Sequence, residues 1–220
     1  MRSLEGALRH GVDALGLVLT DAQIGALLEY MALIQKWTRV YNLTAVRDPE
    51  EMLTHHVLDS LAVVAPLRGQ LQSMGLDESI RLLDVGAGAG LPGVVLAICC
   101  PTMVVHCVDT VAKKAAFIQQ AAVNLKLPLL SGIHARVESL TDPYSVVTSR
   151  AFASLADFTL WSKGALAEQG VWMAMKGKNP EAEVAQLPAD VAVFHVEPLA
   201  VPGLGAERCI VWMRKAPKLA

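Results

Sequence analysis

The sequence offers no Cys-x-x-Cys pair and no zinc-ligand spacing among its 4 cysteines, Cys99, Cys100, Cys107 and Cys209. Buried reduced thiols are therefore the expectation, not a disulfide framework or a metal knuckle. The 6 histidines are scattered apart from His55-His56, and adjacent residues on a helix point about 100° apart, a poor chelate. No metal is expected. Charged residues are thin at 18%, against about 25% in ordinary soluble chains. No apolar run reaches the roughly 18 residues of a membrane span without a charge or turn residue breaking it. The start, Met1-Arg2-Ser3-Leu4-Glu5, turns amphipathic at once and lacks the apolar stretch of a secretory signal. No membrane partner is expected, and the location read from these absences is cytoplasmic. Internal repeats and low-complexity tracts are also missing.

A large excess of basic charge is missing too. The formal net charge is −2, and it is unevenly spread: residues 1–79 hold 6 Lys/Arg against 10 Asp/Glu, residues 80–220 hold 13 against 11. That is not the profile of a protein that grips any nucleic acid by its phosphates.

At 53% hydrophobic the chain can bury a substantial core, and its length suits one domain with an added element. The first third predicts helices. Leu4, Leu8, Val12 and Leu15 recur at helical spacing, and Thr20 with Gln23 forms a capping-box pattern ahead of Ile24, Leu27, Leu28, Met31, Ile34 and Trp37. Asn42-Leu43-Thr44 interrupts. Asp48-Pro49 then reads as an N-cap and first helical residue, opening a helix through Leu53, Val57, Leu61 and Val64 that should stop near Pro66. From residue 81 the grammar alternates. Strands are predicted at 81–85, 104–108, 132–136, 145–149 and 171–175, with helices at 113–126 and 155–168 between them. This alternation implies a mostly parallel, three-layer sheet with right-handed crossovers. Two last strands, 191–199 and 208–214, flank a short loop with Pro202, Gly203 and Gly205, which suits an antiparallel hairpin. The division expected is 1–79 as an N-terminal helical subdomain and 80–220 as the ligand-binding domain.

In such a sheet, ligands bind at the carboxyl ends of the strands, near the switch point. There the first strand ends in Asp84-Val85-Gly86-Ala87-Gly88-Ala89-Gly90-Leu91-Pro92-Gly93. Gly86, Gly88 and Gly90 leave no side chain between backbone and ligand and permit positive φ. Asp109 stands 25 residues after Asp84, at the end of the second strand, where a carboxylate can accept both hydroxyls of an adenosine ribose. Gly88 to Gly93 also fits the dinucleotide pattern G-x-G-x-x-G. In that register the first glycine falls late after the strand, and no second mononucleotide half follows. The register starting at Gly86 resembles the D/E-x-G-x-G-x-G turn of S-adenosylmethionine enzymes, with Asp84 meeting the charged methionine part. The fold expected is therefore α/β, a Rossmann-like class I S-adenosylmethionine methyltransferase with a mostly parallel sheet, a C-terminal antiparallel hairpin and preceding N-terminal helices.

A longer series of residues is more specific. Trp37, Tyr41-Asn42-Leu43-Thr44, His56-Val57-Leu58-Asp59-Ser60-Leu61, the glycine turn from Leu83 to Gly93, Arg136-Val137-Glu138, Ser149-Arg150-Ala151-Phe152-Ala153, Met175-Lys176-Gly177 and Glu207-Arg208 follow one another in order along nearly the whole chain. Together they resemble the glucose-inhibited division protein B family, bacterial methyltransferases of guanine N7 in small-subunit (16S) ribosomal RNA. Thr110 departs from the serine common in that family. The resemblance implies S-adenosyl-L-methionine as cofactor and 16S rRNA as partner, within the small ribosomal subunit or an assembly intermediate. It also implies that Gly86 and Leu91 line the cofactor, that Val137 and Glu138 bracket its adenine, and that Arg150 faces cofactor and substrate. Arg150 and Lys176, both at predicted strand ends, are the candidate catalytic residues.

Other methyltransferase classes lose their machinery here. The N/D-P-P-Y/F turn for exocyclic amines is replaced by Ser149-Arg150-Ala151-Phe152, and Asp142-Pro143-Tyr144 lies at the wrong end of its strand. Cys107 falls inside a strand and Cys99-Cys100 closes a helix, so neither is placed as a nucleophile for pyrimidine carbon. Guanine N7 needs no proton removed, so alignment and exclusion of water suffice. Phe152 reads either as core or as a stacking platform for the base, with the core role expected. A small-molecule methyltransferase lidded by the N-terminal helices, and a cofactor-binding module without turnover, are the other readings. Among cations near the cofactor, Arg136, Arg150, Lys176, Lys178 and Arg208 are the ones available to RNA.

Overall fold

A computed structural model describes residues 3–76, 80–177 and 180–217; Lys178 lies outside the described residues. Two helices open the chain, α1 (Leu4–Ala14) and α2 (Asp21–Tyr41). The capping box forms as expected: Gln23 N–H donates to Thr20 Oγ1 at 3.2 Å, and Thr20 N–H donates to Gln23 Oε1 at 2.9 Å. Asn42 ends α2 in the left-handed region at φ 50°, a conformation that its short polar side chain tolerates.

The helix expected from Asp48 to Pro66 is instead a composite. It runs as α3 (Pro49–Met52), a π-helical turn (Leu53–Leu58) and α4 (Asp59–Leu61), and then breaks. Pro66 lies in the first turn of a new helix, α5 (Val64–Ser73). A first-turn proline loses no intrahelical hydrogen bond, so it opens a helix where it was expected to close one.

The sheet has seven strands: β1 (Arg81–Val85), β2 (Val104–Asp109), β3 (Leu130–His134), β4 (Tyr144–Arg150), β5 (Leu166–Lys176), β6 (Val191–Leu199) and β7 (Arg208–Lys215). Their spatial order is β3-β2-β1-β4-β5-β7-β6. All pairs are parallel through β5, and β7 runs antiparallel to both β5 and β6. Helices α6 (Gly93–Cys99), α7 (Ala112–Asn124) and α8 (Leu155–Ser162) make the crossovers, and a short α9 (Glu181–Val184) follows β5.

Two expected boundaries move. β3 starts earlier, which leaves Arg136 beyond its end. Helix α8 stops at Ser162, and residues 166–168 belong to a longer β5. The register of β4 on β5 shifts between Tyr144 and Val146. Gly170 allows this, because a Cβ there would sit 2.9 Å from the Tyr144 carbonyl oxygen and 3.1 Å from that of Ser145.

Alternation along β1 sorts the layers, since successive strand residues face opposite sides. Leu82 joins a core built with α1, α2, α6 and α7, while Leu83 and Val85 join a second core built with α8. The N-terminal helices thus share one continuous apolar core with a face of the sheet. No described helix is long and apolar enough to cross a membrane.

Candidate active site

Strand order reverses between β1 and β4, so the loops after these neighbours open a crevice at the carboxyl edge of the sheet. The glycine turn occupies one side. Gly86 follows β1 directly, and its N–H donates to Val108 O at 2.9 Å. Gly86, Gly88 and Gly90 all adopt positive φ, at 67°, 59° and 87°. A side chain at Gly86 would also strike the Phe152 ring.

Asp84 lies beneath the turn, fully buried. Its Oδ2 accepts the Gly93 N–H at 2.8 Å, and its Oδ1 has no protein partner. Burial raises the carboxyl to about 7, against the lowering effect of the Gly93 hydrogen bond and the Arg150 charge. A carboxyl raised in the folded state binds more protons there than in the unfolded chain, so stability falls as pH rises. Here the window is about 4 to 7, and the loss amounts to at most roughly 4 kcal/mol at 1.36 per unit. Asp84→Asn should therefore unfold like the parent near pH 4 and gain on it steadily up to pH 7. Denaturant titrations across that range test this; a pH-independent difference would rule it out.

Asp109, 6% exposed, stands at the end of β2. Its Oδ2 accepts the Gly88 N–H at 3.0 Å and its Oδ1 accepts the Val111 N–H at 2.9 Å. Lys114 Nζ lies 3.6 Å from Oδ2. The carboxylate thus ties the glycine turn to the start of α7. A carboxylate has about four acceptor positions, so capacity for ribose hydroxyls remains.

Arg150 ends β4, and its Nη1 donates to His55 O at 2.8 Å and to Asp59 Oδ2 at 2.9 Å. Arg208, opening β7, donates from Nε to Asp59 Oδ1 at 2.9 Å. Asp59, 2% exposed, is clasped by two guanidinium groups from different strands. Next to it Thr44 Oγ1 and His56 Nε2 are 2.7 Å apart, and burial lowers the His56 ring below its ordinary value. A π-helical turn is a frequent mark of a functional site; this one carries His55, whose carbonyl meets Arg150 at the end of β4, and it leads into α4, whose first residue Asp59 meets both Arg150 and Arg208.

Lys176, the other candidate at a strand end, donates to Ala153 O at 2.9 Å and to Glu183 Oε2 at 2.8 Å. The same Glu183 oxygen accepts the Leu155 N–H at the start of α8. Lys176 therefore braces the loop that carries Ala151, at φ 50°, and Phe152. Phe152 is not a core residue, contrary to the expectation: it is 37% exposed, lies over Gly86, and meets Phe158 and Trp161 edge-on at 6.5 and 5.8 Å. Leu91 is buried in the larger core and Val137 in the smaller, while Glu138 is exposed on the single turn after β3.

Sequence reasoning missed two contributors. Tyr30 of α2 is fully buried and donates to Ala89 O at 2.5 Å, with Gly90 O at 3.2 Å, so the N-terminal layer fixes the glycine turn. Asp59 belongs to the motif His56 to Leu61, but the motif alone gives it no role; its signal is a lone acid inside the apolar run from Val57 to Val64. Among the described residues no group of three or more His, Cys, Asp or Glu could hold a metal.

Residues 23–211 match the family model GidB, described as rRNA small subunit methyltransferase G. The chain belongs to this family. It is 68% identical to ribosomal RNA small subunit methyltransferase G of Albidiferax ferrireducens, covering 98% of this chain and 99% of the relative. The protein of the same description from Polaromonas sp. is also 68% identical, covering 97% and 95%. Among solved structures, magnesium protoporphyrin IX methyltransferase from Synechocystis superposes with a TM-score of 0.59 at 14% identity, covering 90% of this chain and 99% of that one. A SAM-dependent methyltransferase from Aquifex aeolicus gives 0.55 at 17% identity, covering 76% and 97%. The fold is that of class I S-adenosylmethionine methyltransferases, and membership of GidB brings S-adenosyl-L-methionine as the methyl donor and small-subunit rRNA as the substrate.

Proposed function

We propose that this GidB protein transfers a methyl group to N7 of a guanine in 16S rRNA, and acts on the small ribosomal subunit or a late assembly intermediate. The observation that carries the reading is the buried, half-satisfied carboxylate of Asp84 beneath three positive-φ glycines, in a chain matched to the family over most of its length. The residues present suit the donor. Asp84 Oδ1 is free for the methionine part and Asp109 for the ribose. Gly86, Gly88 and Gly90 give backbone approach, and Leu91, Val137 and Glu138 flank the rest in this assignment. Residues 1–79 serve as the helical layer and 80–220 as the donor-binding domain.

Bound S-adenosyl-L-methionine supplies a methyl group on a sulfonium. Guanine N7 is a neutral lone pair, so the N7–carbon bond forms as the carbon–sulfur bond breaks, and no base has to remove a proton. The protein is left with alignment and exclusion of water, which together can supply about 7–11 kcal/mol. Arg150, held by Asp59, is a fixed cation that orients the base edge or a phosphate. Phe152, exposed over the glycine turn, offers a ring face for the guanine, and Lys176 keeps its loop in place.

Charge favours a particle as substrate. Arg150, Arg208 and Lys176 already face carboxylates, so few cations remain to grip bare phosphates, whose neutralisation dominates RNA affinity. Unmethylated small subunits should accept labelled methyl groups much faster than deproteinised rRNA at equal RNA concentration and several salt levels. Equal rates throughout would refute the particle preference, and label at any position other than guanine N7 would refute the chemistry.

A further inference from the structure

The cations expected to meet RNA at the strand ends are largely committed to carboxylates, whereas two arginines, one in the last turn of α2 and one in the segment after it, are not. Among the described residues, Arg39 and Arg47 form no ion pair; Arg47 Nη2 donates only to Asn42 Oδ1, at 3.2 Å. Both line a pocket of about 350 Å³ together with Gln35, Thr38, Val46, Pro49 and Met52. Thr38 is 4% exposed, and its Oγ1 has no hydrogen-bond partner. A helical threonine ordinarily bonds back to the carbonyl four residues earlier, and buried hydroxyls are seldom left unpaired. Asp48, the acid nearest in sequence, is engaged by the N–H groups of Glu50 and Glu51.

We propose that this pocket takes a backbone phosphate of the RNA substrate. Arg39 and Arg47 supply the charge and Thr38 Oγ1 a hydrogen bond. Two guanidinium forks and a hydroxyl suit a tetrahedral oxyanion, whereas the lining has no aromatic ring on which a base could stack. Its place fits. The end of α2 and the segment after it reach the active edge on both flanks: the ring of Tyr41, the last residue of α2, lies 5.3 Å from Lys113 Nζ, in the first turn of α7, and Thr44 meets His56, whose neighbour His55 holds Arg150. A phosphate there belongs to a nucleotide flanking the target base. The proposal rests on the rRNA reading above.

Two variants test it, Arg39→Gln/Arg47→Gln and Thr38→Val, in binding and methylation assays with unmethylated small subunits at several salt concentrations. The double variant should bind subunits about tenfold more weakly, with a salt slope shallower by about 0.7–0.9, the share of one phosphate contact. Thr38→Val should weaken binding severalfold while melting at or above the parent temperature, because it removes an unpaired buried hydroxyl. The Kd of S-adenosyl-L-methionine should stay within a factor of two. Parental affinity and slope in the double variant would overturn the pocket, as would Thr38→Val melting higher with unchanged affinity. Should the double variant not fold, Arg39→Gln alone must still lower affinity. Variants that lose binding while the parent fails to methylate the subunit would defeat the methyl-transfer reading and leave the pocket standing.

Discussion

Asp59→Ala is expected to cost about 3 kcal/mol of folding stability, the low end of the penalty for removing one partner of a buried ion pair. The carboxylate is 2% exposed and serves two guanidiniums, whose side chains are 20% and 24% exposed. Deleting it leaves Arg150 and Arg208 close together with no counter-ion and only partial access to water, which is why the low end applies. Asp59→Asn keeps shape and one acceptor oxygen, so it should lose less. Urea titration reads the effect as a lower midpoint at constant slope. A midpoint equal to the parent's would show that the two arginines reach solvent easily and that the clasp contributes nothing.

Arg150→Ala is expected to lower single-turnover methyl transfer about 10²-fold, the order of loss caused by a misplacement of about 1 Å in a reacting pair. Cooperative melting should persist, because Asp59 keeps its bond from Arg208 Nε. Donor affinity should change by less than threefold, since the assignment gives the donor's main contacts to Asp84, Asp109 and the glycine turn. Arg150→Lys should recover little, because an ammonium cannot serve the His55 carbonyl, Asp59 and a substrate with one rigid fork. Near-parental turnover in Arg150→Ala would make this residue a strut between the π-helical turn and β4, with no part in orienting RNA.

The parallel core of the sheet was legible because strand and helix grammar alternate and because glycines crowd one strand end. The antiparallel end was legible for a similar reason, a loop too short for a crossover. Pro66 misled because proline both ends helices and opens them, and only the break after α4 distinguishes the two. β5 misled because its first residues pair across a register shift that no periodicity announces. At the candidate site, the placement of Asp84, Asp109 and the glycines at strand ends is legible in the sequence alone. Tyr30 and Asp59 were not, because each acts across a long stretch of chain: Tyr30 touches Ala89, and Asp59 touches Arg150 and Arg208. Phe152 reads in the sequence as an ordinary core residue; in the fold it follows Ala151, which stands in the left-handed region, and lies 37% exposed over Gly86. The pattern had shown which residues reach the edge of the sheet, but not which of them are already held by one another.

The bond from Tyr30 to the glycine turn also bears on how the molecule opens. With Ile24, Leu27, Met31 and Ile34 in the same core as Leu91, Val94 and Val95, α2 cannot lift away without releasing the turn. Amide hydrogens of α2 and of residues 86–95 should then exchange with deuterium through one shared cooperative opening, at one free energy and with one denaturant dependence. Loosening that unit at its helical end would be felt as weaker donor binding from more than fifty residues away in sequence, with no residue of the glycine turn altered.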